Sequence, residues 1–426
     1  MVQVFSTSWA LFLGMFLLMI GNGLQGTLLG LRGEMEGFST FELSLVMSAY
    51  FLGFLGGSRY TPHLIARVGH VRVFAALGSM ISAIMILYPA LAEPWAWTLG
   101  RVVIGFCFCG VYITAESWLN DAADNEHRGQ ALSIYLIVQM AGIVCAQYLV
   151  TVADVGGFML FIISSVVVSL AFAPVLLSAS KSPDFSATKP MKIKNLIAAS
   201  PLACTGMFLV GGVFAAQFGM SAVYGQRIGL SVQQISFFIS AIYISALVLQ
   251  FPIGWLSDRM DRRILIMVVG LVGGCAALLA YVTGGAYWAI VVSGALVGGT
   301  SNPLYALLIA YVNDYLERED MAAASAGLLF VNGVGAIGGP LILGFMMDRF
   351  GPGGYWLFIS AVMLAIGFYA IYRITQRDRP ADEFESVPYQ AIPASSTAVL
   401  AEVAQEVYIE TEEEVLAEAQ EEGTSS

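Results

Sequence analysis

Apolar residues in this chain neither alternate nor keep to one helical face; they run on. Between polar breaks lie twelve stretches long enough to cross a hydrocarbon layer about 30 Å thick, which takes roughly 20 residues of helix. They cover approximately residues 8–30, 42–65, 72–91, 95–119, 130–151, 157–178, 199–224, 233–256, 264–282, 286–311, 323–346 and 354–373. Lipid offers backbone N–H and C=O groups no partner, and stretches this long cannot be barrel strands. The pattern therefore predicts an all-α integral membrane protein with twelve transmembrane helices. The first stretch has no basic run before it and outruns the apolar core of a cleaved leader, so it is expected to remain as a span.

Costly side chains are placed by rule. Arg, Lys, Asp, Glu, Asn, Gln and His are absent from the interiors of stretches 3, 6, 9 and 12, which predicts that those four face lipid. The others carry Asn22 and Gln25, Arg59, Arg101 and Glu116, Gln139 and Gln147, Gln217, Gln250, Asn302 and Asn332. Such groups turn to a bundle interior or a wet cavity, so eight helices are expected around a centre.

The chain is also written twice. At an offset of 192, Gly14-Met15-Phe16-Leu17 falls on Gly206-Met207-Phe208-Leu209, and Gln25, Gly33, Gly37, Ser39, Ser44, Ser48 and Ala49 on Gln217, Gly225, Gly229, Ser231, Ser236, Ser240 and Ala241. At 193, Gly105, Tyr112, Asn120, Asp121 and Gly142 fall on Gly298, Tyr305, Asn313, Asp314 and Gly335. A register held through loops and helices means two homologous halves. Six spans per half is an even number, so the copies point the same way and enclose a central cavity. The expected organisation is an N-terminal bundle (1–180), a flexible linker (181–198) with four lysines and two prolines between Lys181 and Asn195, a C-terminal bundle (199–375) and a tail (376–426).

Composition agrees with a lipid solvent: 58% of residues are hydrophobic and 12% charged, against about 25% charged in soluble domains. The net charge of −11 hides a partition, because residues 381–426 hold 12 of the 30 acidic residues and none of the 19 basic ones. Without the tail the body carries 19 basic and 18 acidic residues, a sum of +1, and no basic surface for nucleic acid. With a cytoplasmic N-terminus, fifteen Lys and Arg residues fall inside and three (Arg32, Arg227, Arg349) outside, leaving Arg101 within a span. That bias places both termini in the cytoplasm of a plasma-membrane protein, expected as a bacterial inner-membrane one. Five cysteines in apolar runs, three histidines outside metal spacing and no phosphate-binding glycine loop remove disulfide, zinc and ATPase signatures, so no cofactor and no metal are expected.

The sequence resembles the major facilitator superfamily over roughly residues 8–375. Gly254-Trp255-Leu256-Ser257-Asp258-Arg259-Met260-Asp261-Arg262-Arg263 is similar to the family's loop motif G-x-x-x-D-R-x-G-R-R, with Asp261 in place of a glycine. Its counterpart in the first half keeps Arg67 and Arg72 but has Pro62 and Ala66 where the glycine and aspartate belong. Arg101 with Gly105 and Gly110 resembles the R-x-x-x-G motif of span 4. Glu116 followed by Arg128-Gly129 resembles the pair flanking the fourth loop. The run Ala115-Glu116-Ser117-Trp118-Leu119-Asn120-Asp121 looks like the bacterial YcaD-like branch. The antiporter proline-glycine motif is missing from span 5, while Gly335-Ala336-Ile337-Gly338-Gly339-Pro340 stands in span 11. The resemblance implies alternating access but selects no cargo.

Candidate cavity residues are Asn22, Gln25, Arg101, Tyr112, Gln139, Gln217, Asn302, Tyr305 and Asn332. Arg101 sits six residues inside span 4, about 9 Å along the helix, where it either meets an anionic or zwitterionic solute or snorkels to helix carbonyls. The amides either touch solute or bond helix to helix, and the tyrosines either stack on cargo or fill the core. The resemblance implies a gating network of Arg67, Arg72, Glu116 and Arg128, matched in the second half by Asp258, Arg259, Arg262, Asp314 and Arg318; solvated loop charges are the alternative. Glu116 could also carry a proton. The tail is expected to be disordered, with Leu400, Val403 and Val407 spaced along an acidic amphipathic helix that could inhibit or dock a partner. The whole predicts a monomeric secondary active transporter of a small organic solute, proton coupled and not an enzyme. A membrane sensor or assembly protein is the alternative.

Overall fold

The computed structural model describes residues 2–122, 128–178 and 190–376, together with 389–392, 397, 399–400 and 403–404; side chains at 2–7, 121, 122, 128, 178 and 318 lie outside the description. Twelve helices within it are long and apolar enough to cross a membrane. They are span 1 (Ser8–Met35), span 2 (Thr40–Val68), span 3 (His70–Ala90), span 4 (Pro94–Asn120), span 5 (Gly129–Val150) and span 6 (Met159–Leu177) in the first half. The second half holds span 7 (Pro201–Arg227), span 8 (Val232–Ser257), span 9 (Arg262–Val282), span 10 (Tyr287–Asn313), span 11 (Glu319–Phe350) and span 12 (Gly354–Ile374). This is an all-α, multi-pass membrane architecture. Leu52, Trp95, Leu177, Trp288 and Phe345 stand more than half exposed on its outside, as side chains solvated by lipid do.

The repeat is visible atom by atom. Span 1 ends where Gly37 takes φ 80° and Phe38 N–H bonds the Gly33 carbonyl; span 7 ends where Gly229 takes φ 76° and Leu230 N–H bonds the Gly225 carbonyl. Only a residue without Cβ adopts that left-handed turn freely. Each turn is followed by a capping box, Ser39 with Glu42 and Ser231 with Gln234, which satisfies the first orphan amides of spans 2 and 8. Gly105 lies against the Tyr50 carbonyl and Gly298 against the Ile242 carbonyl; Gly142 lies against the Phe16 carbonyl and Gly335 against that of Phe208. Span 2 therefore packs on 4 as 8 does on 10, and 1 on 5 as 7 does on 11.

Burial ranks the helices differently from their polar content. Spans 1, 4, 7 and 10 are 83, 83, 72 and 89% buried and form the centre. Spans 3, 6, 9 and 12 are 39–50% buried, but spans 5, 8 and 11 are no better covered at 50, 44 and 50%. The absence of polar side chains thus does not single out four outer helices. Spans 5, 8 and 11 have one exposed face and turn Gln139, Gln147, Gln250 and Asn332 inward on the other.

The described part of the linker is anchored at two points and otherwise mostly exposed. Met191 N–H bonds the Ala323 carbonyl at 2.7 Å, and a short helix, Ile193–Ala199, buries Leu196 while Lys192 and Lys194 stay exposed. Described tail positions Ile392, Thr397, Leu400, Val403 and Ala404 are likewise buried against the body, where the acidic composition suggested a free chain. Val407 lies outside the described residues.

Candidate functional site

Glycines decide where the polar centre lies. A Cβ at Gly53 would stand 1.9 Å from the Val102 carbonyl oxygen, and one at Gly105 would stand 1.9 Å from that of Tyr50, so spans 2 and 4 meet backbone to backbone. That contact brings the guanidinium of Arg101 over the Tyr50 ring, 4.7 Å from its centroid. Arg101 is fully buried; Nη2 points at the Met47 sulfur at 3.7 Å, and neither Nε nor Nη1 has a hydrogen-bond partner. The snorkelling alternative is not what the side chain does. Glu116 lies fifteen residues on, about 22 Å along the same helix, so the two charges cannot neutralise each other.

Beneath Arg101 the Asn22 amide donates to Tyr112 Oη at 2.9 Å and to Tyr50 Oη at 3.3 Å. Gln25 donates to Asn22 Oδ1 at 3.2 Å and leaves its own Oε1 unpartnered. Facing this cluster, span 7 widens into a π-turn at Ala216–Met220, the kind of defect that re-aims side chains at functional sites. It carries Gln217, whose amide donates to Ser301 Oγ at 2.8 Å, and Phe218, whose ring lies 5.6 Å from that of Tyr50. Asn302 donates to Gln217 Oε1 at 3.4 Å and to the Gly298 carbonyl at 3.1 Å, with Oδ1 unpartnered. Asn22, Gln25, Arg101 and Tyr112 thus gather around Tyr50, while Gln217 and Asn302 form a second cluster that Phe218, next in sequence to Gln217, joins to Tyr50. Of the remaining three, Asn332 donates to the Met207 carbonyl and ties span 11 to span 7, Tyr305 is wholly buried, and Gln139 is buried a turn from Tyr135.

The charged cluster of the second half is the more fully described. At the end bearing the chain termini, Arg262 pairs with Asp314, lies 3.7 Å from Asp258, and donates to Ser257 Oγ and the Ala310 carbonyl. Arg259 turns away onto the Trp255 ring at 4.3 Å. Partial burial raises the Asp258 carboxyl above its ordinary pKa, against the pull of the Tyr389 N–H, Arg262 and Arg259. In the first half Arg67 and Arg72 are exposed, and among the described residues no ion pair joins them to Glu116. The side chains of Arg128, Asp121 and Arg318 lie outside the described residues. Carried back by the repeat offsets, Asp258 falls on Ala66, Arg262 on His70 and Asp314 on Asp121. Glu116 is fully buried, accepts from Tyr135 Oη at 3.1 Å, and is met on its other oxygen by the Thr397 hydroxyl.

At the opposite end the halves close on each other. Ser48 Oγ donates to the Ile337 carbonyl at 2.5 Å, joining spans 2 and 11, and Arg227 Nε donates to Glu34 Oε1 at 2.6 Å, joining spans 7 and 1. The ion pair is partly exposed and worth about 0.2–1 kcal/mol. Glu34→Gln is therefore expected to raise alkylation of a cysteine at Phe218 from that side by no more than roughly fivefold, and the charge swap Glu34→Arg with Arg227→Glu to reverse it. A tenfold or larger rise would show the pair to be the main lock.

Sequence reasoning missed Tyr50, Met47 and Ser301, and it missed Thr27, whose hydroxyl bonds Gln147 Oε1 at 3.0 Å. Tyr50 carried one usable signal, a hydroxyl in a span whose repeat partner is Ile242. Among the described residues no group of His, Cys, Asp and Glu could hold a metal ion.

Against known proteins, the model of the Major Facilitator Superfamily matches residues 11–231 and 202–405. An uncharacterised MFS-type transporter of Enterobacter sp. (strain 638) is 24% identical over 357 residues, 82% of this chain and 91% of that protein. The uncharacterised MFS-type transporter YcaD of Escherichia coli O45:K1 (strain S88 / ExPEC) is 24% identical over 358 residues, again 82% and 91%. Among solved structures, a point variant of the nucleoside transporter NupG superposes with TM-score 0.71 at 14% identity, covering 86% of this chain and all of that one. A bacterial homolog of the human lysosomal transporter Spinster, inward-facing and unoccupied, gives 0.67 at 16% identity, covering 96% and 98%.

Proposed function

This chain belongs to the Major Facilitator Superfamily, and from that premise we propose that it carries a small organic solute with an anionic or zwitterionic group across a bacterial inner membrane, by alternating access and with protons as coupling ion. The end bearing both termini faces the cytoplasm in this reading, as the basic loop residues favour. The observation that supports the substrate class is Arg101. A guanidinium in the bilayer costs at least about 2.5–3.5 kcal/mol on insertion scales. A ring at 4.7 Å offsets part of that, yet two of its nitrogens stay unpartnered. A carboxylate would supply the planar, two-pronged partner that guanidinium favours, and the amides of Gln25 and Asn302 have free acceptors for an ammonium or hydroxyl on the same solute. For coupling, Glu116 is the one fully buried carboxylate among the described residues.

Thermal unfolding of the purified protein against organic acids, amino acids, sugars and cationic drugs tests the class. A carboxylate solute at 100 times its Kd should stabilise by about 2.7 kcal/mol and exchange across proteoliposomes containing the protein. Stabilisation by neutral or cationic solutes alone would sink the reading.

A further inference from the structure

Tail residues 389–392 and 397 lie at the mouth on the end where span 12 stops. Tyr389 sits on Gly254, where a Cβ would come within 2.5 Å of its ring. Its hydroxyl accepts from the Gln250 amide at 2.7 Å and donates to the Pro303 carbonyl at 3.4 Å, and its backbone N–H donates to Asp258 Oδ1 at 2.6 Å. Three residues on, Ile392 is 3% exposed and closes a cleft between Leu136 and Met140 of span 5 and Ala246, Leu247 and Gln250 of span 8, with Asn302 at its floor. Thr397 then donates to Glu116 of span 4. One peptide is thus held by spans 8 and 10 at its start and by span 4 at its end, so it bridges the two halves. Asn302, which lines the same cleft as Ile392, is the residue bonded to Gln217, so the docked tail adjoins that cluster.

We propose that this mouth is a peptide-recognition groove whose occupant is the chain's own tail, seated through Tyr389, Ile392 and Thr397, a tethered plug that shuts the solute path and holds the halves in one facing. The groove has the features of a specific seat: a glycine floor for one aromatic ring, three hydrogen bonds to that residue, an apolar slot and a buried carboxylate for a hydroxyl. Tethering just past span 12 gives the segment a high effective concentration, so weak intrinsic binding is enough to keep it seated and loss of one anchor is enough to free it. The inhibitory consequence rests on the transport reading above; the docking does not.

The test uses the full chain with Cys145 and Cys275 replaced by serine and Leu136→Cys placed in the cleft. In the parent, this thiol should resist a charged maleimide. With Tyr389→Ala and Ile392→Asp in the tail it should react at least tenfold faster, and a synthetic peptide of residues 386–406 added to that variant should restore protection. Gly254→Val should release the tail from the receptor side; if that variant does not fold, the tail variant still decides. Equal reactivity in parent and tail variant, with equal melting temperatures, would overturn the groove and leave the transport proposal standing. Release of the thiol without a faster exchange of solute would overturn the inhibitory role.

Discussion

Replacing Arg101 by alanine is expected to abolish carriage of a carboxylate solute while the protein inserts and melts as before. Truncating one partner of a buried charge pair typically costs 2–5 kcal/mol of binding, a loss of roughly thirtyfold to several thousandfold. Stability should behave in the opposite way. In the resting protein the guanidinium meets a ring, a sulfur and no carboxylate, so its removal takes away a desolvated charge instead of stranding one. Arg101→Met, which keeps much of the volume, should melt at or above the parent temperature yet show no stabilisation by the solute. Arg101→Lys keeps the charge but not the planar fork, and should retain weak exchange. Counterflow in proteoliposomes and ligand-dependent melting measure both sides. Full exchange by the alanine variant would reduce Arg101 to a structural residue, and a large drop in melting temperature with Arg101→Met would say the same.

The sequence was legible where the two halves agree. Span number, the glycine turns at Gly37 and Gly229, the capping boxes after them and the glycine contacts at 105, 142, 298 and 335 all follow from a backbone built twice under one set of steric rules. The candidate site is less legible because part of it lies where the halves disagree, although Gln25 and Gln217 repeat. Carried forward by the same offsets, Arg101 falls on Gly294, Asn22 on Phe214 and Tyr50 on Ile242. The second half fills the space beside Gly294 with Phe238. Side-chain chemistry has been varied on a fixed frame, so the repeat reports the frame and is silent about the cargo. Asn332 entered the candidate list as a polar group within a span and the repeat partner of Gln139, and Tyr305 as the partner of Tyr112; Asn332 bonds the Met207 carbonyl and Tyr305 is wholly buried. The π-turn that aims Gln217 has no sequence mark, since its insertion shows only as a change of hydrogen-bond register. The tail's seat was hidden for a different reason. Its composition is that of a solvated segment, and only the groove, assembled from four spans, gives Tyr389, Ile392 and Thr397 something to bind.

Gly105→Ala and Gly335→Ala are expected to be among the most damaging single methyl additions in the protein, each costing more than about 3 kcal/mol and leaving little monodisperse protein after extraction. The added carbon would stand 1.9 Å from the Tyr50 carbonyl oxygen in the first case and 1.8 Å from that of Phe208 in the second. Neither acceptor is a side-chain tip that could swing aside; each belongs to a helix backbone, so two spans must part by more than 1 Å. Spans 2 and 4 cannot do so at one point, because Gly53 and Gly57 hold them on either side, with would-be contacts of 1.9 and 2.7 Å to Val102 and Phe106 carbonyls. Gly298→Ala, facing the Ile242 carbonyl at 2.4 Å, should be milder. Gly56→Ala and Gly338→Ala are the controls: the nearest atom is 3.9 Å away in one and none lies within 4 Å in the other, so better helix propensity should leave them neutral or up to about 1 kcal/mol more stable. The two damaging sites separate again in function. Parting spans 2 and 4 moves Tyr50 off Arg101, so any folded Gly105→Ala protein should lose solute binding as well as stability. Parting spans 7 and 11 at Gly335 leaves that pair intact, and its surviving fraction should still bind the carboxylate at parental strength. Equal loss of binding in both would mean that the seam between spans 2 and 4 does not position the arginine.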